Sequence, residues 1–300
     1  MTHGILLLDK PRGLSSSAAV QRVRRAFRRV KAGHTGSLDP LATGMLPICM
    51  GEATKVAGYL LEGDKEYEFT MGFGVRRATG DLEGEVVEEL PVPADLPVQL
   101  AGALHGFLGP ISQVPPMYSA LKRDGQPLYR LARQGIEVER EARSITIHAL
   151  ELLGVAGAEA SLRVRCSKGT YVRTLAEDLA RSLGSCAHLT ALRRTAVAPF
   201  PAHALVSMEA VEADPASVLL LPADAALPQL AEVLLDAALT QRLRLGQAVR
   251  QPATADSEVL VRLYGPDRQF LGIGRQEPAG DGAALVHPVR LFNDLGQIQT

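Results

Sequence analysis

Cysteine is scarce in this chain of 300 residues: there are three, Cys49, Cys166 and Cys186. An odd number with no CxxC pair argues against a disulfide framework or a zinc ribbon, and suits small buried hydrophobes in a reducing compartment. The seven histidines show neither HExxH nor any other ligand spacing, and the chain has no GxxxxGK phosphate loop and no GxGxxG fingerprint. No metal and no cofactor is therefore expected. A run of about 18 apolar residues is also missing, which excludes a membrane-spanning helix. The apolar ILLL at 5–8 is too short for a signal-peptide core and is broken by Asp9 and Lys10. Export is not expected, and a cytoplasmic protein is. What the chain does have is 46% apolar content, enough for a substantial core in one large domain or two.

An excess of either charge is missing as well, since the net charge is −1. The balance hides a sorting along the chain: residues 1–60 carry +6, residues 61–100 carry −7 and the last hundred carry −5. The densest basic stretch, QRVRRAFRRVK at 21–31, holds five arginines and no acid. Val20, Val23, Phe27 and Val30 recur in it at helical spacing, and Ser15, Ser16 and Ser17 offer an N-cap. This predicts an amphipathic helix over 17–31 with a basic outer face. Such a face is either an ordinary solvated surface or a seat for phosphates, and the residues leave both open.

Strands are expected at ILLLDK (5–10), YEFTMGF (67–73), SITIHALELLG (144–154) and ASLRVRCS (160–167), from their alternation and β-branched content. Helices are expected at 97–107, 128–134, 172–183 and 207–213. Elements interleaved without a βαβ repeat predict an α+β fold, a mixed and largely antiparallel sheet flanked by helices. After residue 200 the chain turns rich in alanine, leucine and proline, a helix and then a connector. EVLVRLYGPDRQFLGIGRQ (258–276) then reads as strand, turn and strand of a small β-barrel or of a plain hairpin.

Residues 33–55, GHTGSLDPLATGMLPICMGEATK, gather glycines and prolines around Asp39, the pattern of a shaped loop rather than of a helix or strand. Locally, Asp39 before Pro40 is a helix N-cap or turn opener as readily as a catalytic carboxylate. The whole string HTGSLDPLATG followed by GEATK, however, resembles the signature of the TruB family of tRNA pseudouridine synthases. GILLLDKPRGLSS (4–16), KEYEFTMGFG (65–74), PPMYSALKRDGQPLYRLARQGIEVERE (115–141), CSKGTYVRTLAEDLA (166–180) and AHLTALRRT (187–195) resemble further blocks of that family, in its order. The stretch GVRRATGDLEG (74–84) departs from it: Arg77-Ala78 stands where a threonine-rich segment is expected, with Thr79 and Asp81 keeping part of the pattern.

The resemblance implies a catalytic domain over 1–225 and a PUA-like, RNA-binding β-barrel over 226–300. It implies isomerisation of uridine to pseudouridine in the T-loop of tRNA, at position 55 in tRNA numbering, without a cofactor because no atoms are gained or lost. Asp39 is then the nucleophile, Arg173 the guanidinium that keeps it ionised, and Tyr67 the aromatic beside the target base. Tyr171, two residues before Arg173, would share its face on a strand. Leu192 is implied to pack on the base, with Lys10 and Lys55 near the site. His34, in an exposed loop, is implied to fill the gap left by the flipped base. Arg193, Arg194, Lys122 and Arg123 are candidates for phosphate contacts. The implied partner is tRNA, bound through its T-loop and T-stem by a monomer with no guide RNA. Two rival readings are a synthase for another RNA and a tRNA-folding chaperone that acts by binding alone.

Overall fold

The computed structural model describes residues 2–123, 125–200 and 205–293. Nine strands form the main sheet: β1 (Gly4–Lys10), β2 (Ala32–His34), β3 (Thr43–Met50), β4 (Lys65–Phe73), β5 (Gly109–Gln113), β6 (Arg143–Ala156), β7 (Glu159–Cys166), β8 (Ala187–Val197) and β9 (Val206–Ser207). Their order is β9-β1-β3-β8-β4-β7-β6-β5, with β2 added to β3. Every pairing is antiparallel except β1 with β9 and β3 with β8. The expected mixed, largely antiparallel sheet is thus present.

One face of the sheet is covered by helices α1 (Ser16–Ala26), α2 (Leu96–Ala103), α3 (Val172–Ser182) and α4 (Met208–Ala213). Val20 and Val23 of α1, Leu175 and Leu179 of α3 and Met208 and Val211 of α4 pack there with Leu6, Leu8, Phe69 and Met71 of the sheet. The helix predicted over 17–31 ends at Ala26, because Arg28 and Arg29 take left-handed backbone angles, φ 51° and 60°, and reverse the chain. Phe27 is still buried in the core, so the apolar stripe was read correctly and only the helix end was not.

The second sheet has five strands, β10 (Ala231–Leu234), β11 (Val249–Pro252), β12 (Val259–Tyr264), β13 (Phe270–Gly280) and β14 (Ala283–Leu291), in the order β10-β12-β13-β14-β11. It curls into a half-barrel around Val233, Val261, Leu263 and Val286. Its Tyr264, Phe270, Ile273 and Phe292 pack on Ile5, Leu7, Met45 and Cys49 of the main sheet. This explains the unbroken ILLL: Leu6 and Leu8 face the helices while Ile5 and Leu7 face the second sheet, so β1 has no solvent side on which to alternate.

The reading of 33–55 as loop throughout needs correction. Residues 35–42 are irregular, but β2 precedes them and β3 follows as a strand beside β1. Proline and two glycines hid this strand. Gly44, at φ 97°, is required there: a Cβ would stand 2.2 Å from the Arg194 carbonyl oxygen, where β3 and β8 approach.

Candidate active site

The loop between β2 and β3 is pinned at several points. Thr35 N–H donates to the Pro47 carbonyl at 3.0 Å, Gly13 N–H to the Pro40 carbonyl at 2.7 Å and Ala42 N–H to that of Asp39 at 3.1 Å. The buried Ser16 Oγ accepts from Leu38 N–H at 2.7 Å and donates to the Leu38 carbonyl at 3.0 Å. No helix follows Pro40; the chain passes into β3, so the N-cap reading of Asp39 is excluded. A carboxylate held this firmly without capping anything is free to act on something else.

Asp39 meets Arg173, whose Nε lies 3.0 Å from Oδ2. The guanidinium is buried and fixed by donating from Nη1 to the Thr79 carbonyl at 2.7 Å and from Nη2 to the Tyr118 carbonyl at 2.8 Å. The Asp39 side chain keeps 40% exposure, the opening to solvent and to a substrate. Burial by the surrounding packing pushes its carboxyl above the ordinary value; Arg173 and Lys10 pull it back, and Asp81 adds to the rise. The expectation that the guanidinium alone sets the ionisation is corrected, since desolvation outweighs it.

Tyr67 is almost fully buried on β4, paired in register with Arg194 of β8. Burial raises its phenol, Arg194 opposes the rise, and Asp39 is close enough to add to it. Lys10 is buried at the end of β1, its ammonium donating to the carbonyls of Pro11 at 3.0 Å and Leu14 at 2.7 Å. Desolvation lowers its pKa to about 8 against the pull of Asp39. Tyr171 is the residue before α3 rather than a strand residue, so the face-sharing argument fails. It reaches the site by another route: Gln113 clamps its backbone from both sides, at 2.8 and 3.1 Å, and its phenol, raised by burial, is raised further by Asp39.

Leu192 on β8 is half-buried and lines a cleft of about 290 Å³ with Leu41 of the Asp39 loop, Phe69, Thr70 and Ser161. His34 closes β2 and is half-buried, not in an exposed loop; its Nδ1 is buried with no hydrogen-bond partner among the described residues. Burial lowers its pKa and Arg194 lowers it further, which favours the neutral ring.

Lys55 does not belong to this group. It lies on the other face of the sheet, where its ammonium donates to Glu52 and to the Leu291 carbonyl at 2.8 Å and sits 5.4 Å from the Phe292 ring. Nor is Arg194 a phosphate contact: it is 1% exposed and donates to the carbonyls of Met45 at 2.8 Å and Gly36 at 3.0 Å. Arg193 is engaged by Asp9 at 2.9 Å. Arg123 donates to the Glu139 carbonyl at 2.6 Å on an exposed hairpin; Asp124 of that segment lies outside the described residues.

The sequence reading gave no role in the site to Asp81 or Gly80. Asp81 is buried, accepts from Thr79 Oγ1 at 2.5 Å and from Glu83 N–H at 3.0 Å, and shapes the turn that cradles Arg173. At Gly80, φ 73°, a Cβ would come within 3.3 Å of Arg173 Cβ. The surviving Thr79 and Asp81 of the departing stretch were the available signal. One partly open carboxylate thus stands among three buried cations, Arg173, Lys10 and Arg194, with two tyrosines beside it, a positive pocket suited to an anionic substrate.

Comparison with known sequences decides which family this is. The description "TruB family pseudouridylate synthase (N terminal domain)" matches residues 24–172, "tRNA pseudouridylate synthase B C-terminal domain" matches 173–228, and "Pseudouridine synthase II TruB, C-terminal" matches 231–292. The chain belongs to the TruB family of pseudouridylate synthases. Relatives named tRNA pseudouridine synthase B are 50% identical in Aromatoleum aromaticum, over 100% of this chain and 96% of that protein, and 49% identical in Aeromonas salmonicida, over 96% and 93%. A solved structure described as a Cbf5-Nop10-Gar1 complex aligns with a TM-score of 0.67 at 25% identity, over 91% of this chain and 78% of that one. A structure of an H/ACA RNP bound to a substrate RNA aligns at 0.70 and 22% identity, over 97% and 85%, and shows the pseudouridine synthase fold. As a TruB family member the chain is an enzyme that isomerises uridine to pseudouridine.

Proposed function

We propose that this TruB family chain acts on tRNA, isomerising the T-loop uridine at tRNA position 55, with Asp39 as the covalent partner. The observation that carries the reading is the Asp39–Arg173 pair at 3.0 Å in a loop pinned by Ser16, Gly13 and Thr35. In the reaction the N1–C1′ bond breaks, uracil turns in place, C5 bonds to C1′, the C5 proton leaves and N1 gains one. A carboxylate that bonds covalently to the substrate holds the detached fragments through that turn. Arg173 orients the carboxylate through Nε while its two other donors are spent on carbonyls, so it cannot swing away.

Tyr67 stacks on uracil and takes part in removing the C5 proton. Leu192, in the cleft shared with Leu41, packs on the base, and Tyr171 closes the side next to Arg173. Lys10 lends positive charge. His34, kept neutral, fills the space of the extruded base, its unpaired Nδ1 offering a hydrogen bond to RNA. We place the catalytic domain at 1–225 and a PUA-like RNA-binding domain at 226–300, and read the protein as a cytoplasmic monomer working without guide RNA. The relatives named tRNA pseudouridine synthase B support tRNA as the substrate.

Tritium release from a tRNA transcript labelled at uridine C5 tests this. Wild type should release label, Asp39→Asn should release none while binding the transcript with similar affinity, and replacing the T-loop uridine should abolish release. Turnover by Asp39→Asn would sink the nucleophile assignment. No release by wild type despite tight binding would favour a protein that acts by binding or on another RNA.

A further inference from the structure

The five arginines of 21–31 have different fates. Arg22 is spent on Glu212 of α4 at 2.5 Å, and Arg24 donates to the Val30 carbonyl and to Gln21 Oε1, both at 3.2 Å. Arg25, Arg28 and Arg29 are exposed and make no ion pair among the described residues. The helix dipole accounts for basic residues in the last turn of α1, Arg24 and Arg25. It does not account for two arginines beyond the helix in left-handed backbone, φ 51° and 60°, a conformation that costs a non-glycine residue energy and persists where the surroundings enforce it. Here they are enforced by Arg29 N–H donating to the Arg24 carbonyl at 2.6 Å, by Val30 N–H donating to that of Phe27 at 3.2 Å, and by the buried Phe27 ring.

The reversal folds Arg29 back beside Arg24 and Arg25, and together with Gln21 they line a recess of about 370 Å³ with no acidic residue in its wall. The nearby carboxylates are on α4: Glu212 is paired with Arg22 and also feels Arg25, and Glu209 acts on Arg22. We propose that this recess binds a backbone phosphate of the substrate RNA, a docking point separate from the Asp39 pocket, with Arg25 and Arg29 as its free donors. The inference rests on the RNA substrate proposed above. The first turn of α1 is bonded to the Asp39 loop through Ser16, and the helix is 11 residues long. Recess and carboxylate therefore ride on one rigid element about 16 Å in length, at 1.5 Å per residue.

The test is tRNA binding across a series of salt concentrations, together with steady-state kinetics, for wild type and the double variant Arg25→Gln with Arg29→Gly. Glycine accepts the left-handed backbone without strain, so the variant should melt no lower than wild type. The logarithmic salt slope of binding should fall by about 2, one for each lost phosphate donor, and the kinetic loss should fall on KM rather than kcat. An unchanged slope and affinity would overturn the proposal. So would loss of binding to anionic phospholipid vesicles with tRNA binding intact, which would assign the recess to a membrane surface. A wild type that binds tRNA but releases no tritium overturns the catalytic reading alone, because the slope is read from binding. A wild type that binds no tRNA overturns both.

Discussion

At Asp39 two effects compete, desolvation favouring the neutral acid and the Arg173 guanidinium favouring the carboxylate, and desolvation wins. A nucleophilic carboxylate must be ionised, so activity should be lost as pH falls through a value above the ordinary aspartate pKa of 3.8. The acid limb of kcat/KM against pH measures this, and a limb at or below 3.8 would contradict it. Lys10 carries the opposite consequence for stability. Its pKa falls from 10.5 unfolded to about 8 folded, so between those values the unfolded chain binds more protons and stability rises with pH. The Lys10 contribution is complete above 10.5 and lost as pH falls toward 8. Urea unfolding of Lys10→Met should show a shallower dependence on pH than wild type across that window.

Among the elements, α1 does the most to place the site. Its Ser15 side chain caps the first turn by accepting from Ala18 N–H, which leaves Ser16 free to bond Leu38 through both its donor and its acceptor. Ser16→Ala would strand a buried N–H and carbonyl next to Asp39, costing about 1–3 kcal/mol. The loop loses its anchor at the same time, and kcat should fall by about 10²-fold, the penalty of misplacing a reacting group by an ångström. Chemical denaturation and single-turnover release measure the two effects; full activity in a destabilised Ser16→Ala protein would show that the loop holds its shape unaided.

Across the whole molecule, β1 and β3 are sandwiched between the helical layer and the second sheet. The link to that sheet is made by Phe292, packed 5.0 Å from Phe270 and beneath Lys55, and by the bond from Lys55 to the Leu291 carbonyl. Phe292→Ala should cost about 3–5 kcal/mol, as large aromatic truncations in cores do. Because the second sheet has its own small core, we expect a separate, earlier transition in calorimetry. A single transition at the wild-type temperature would mean that the two sheets do not depend on this contact.

The sequence by itself determined the elements with strong local signals and the family to which the chain belongs. Period-two alternation marked β4 and β7, 3.6-residue spacing marked α3, and the HTGSLDPLATG string marked the carboxylate, because these patterns are set by residues close along the chain. What only the tertiary structure decided depends on residues distant in sequence. β3 was hidden by Pro47 and its glycines, and its pairing with β1 and β8 is a long-range fact. Lys55 and Arg194 look like solvated cations in sequence, yet one is tied to Leu291 and the other is buried on Met45 and Gly36. The place of Tyr171 before α3, the cradle of Thr79, Gly80 and Asp81 around Arg173, and the reversal at Arg28 and Arg29 follow equally from packing. A side chain's partner is chosen by where the chain returns in space, and no local pattern encodes that.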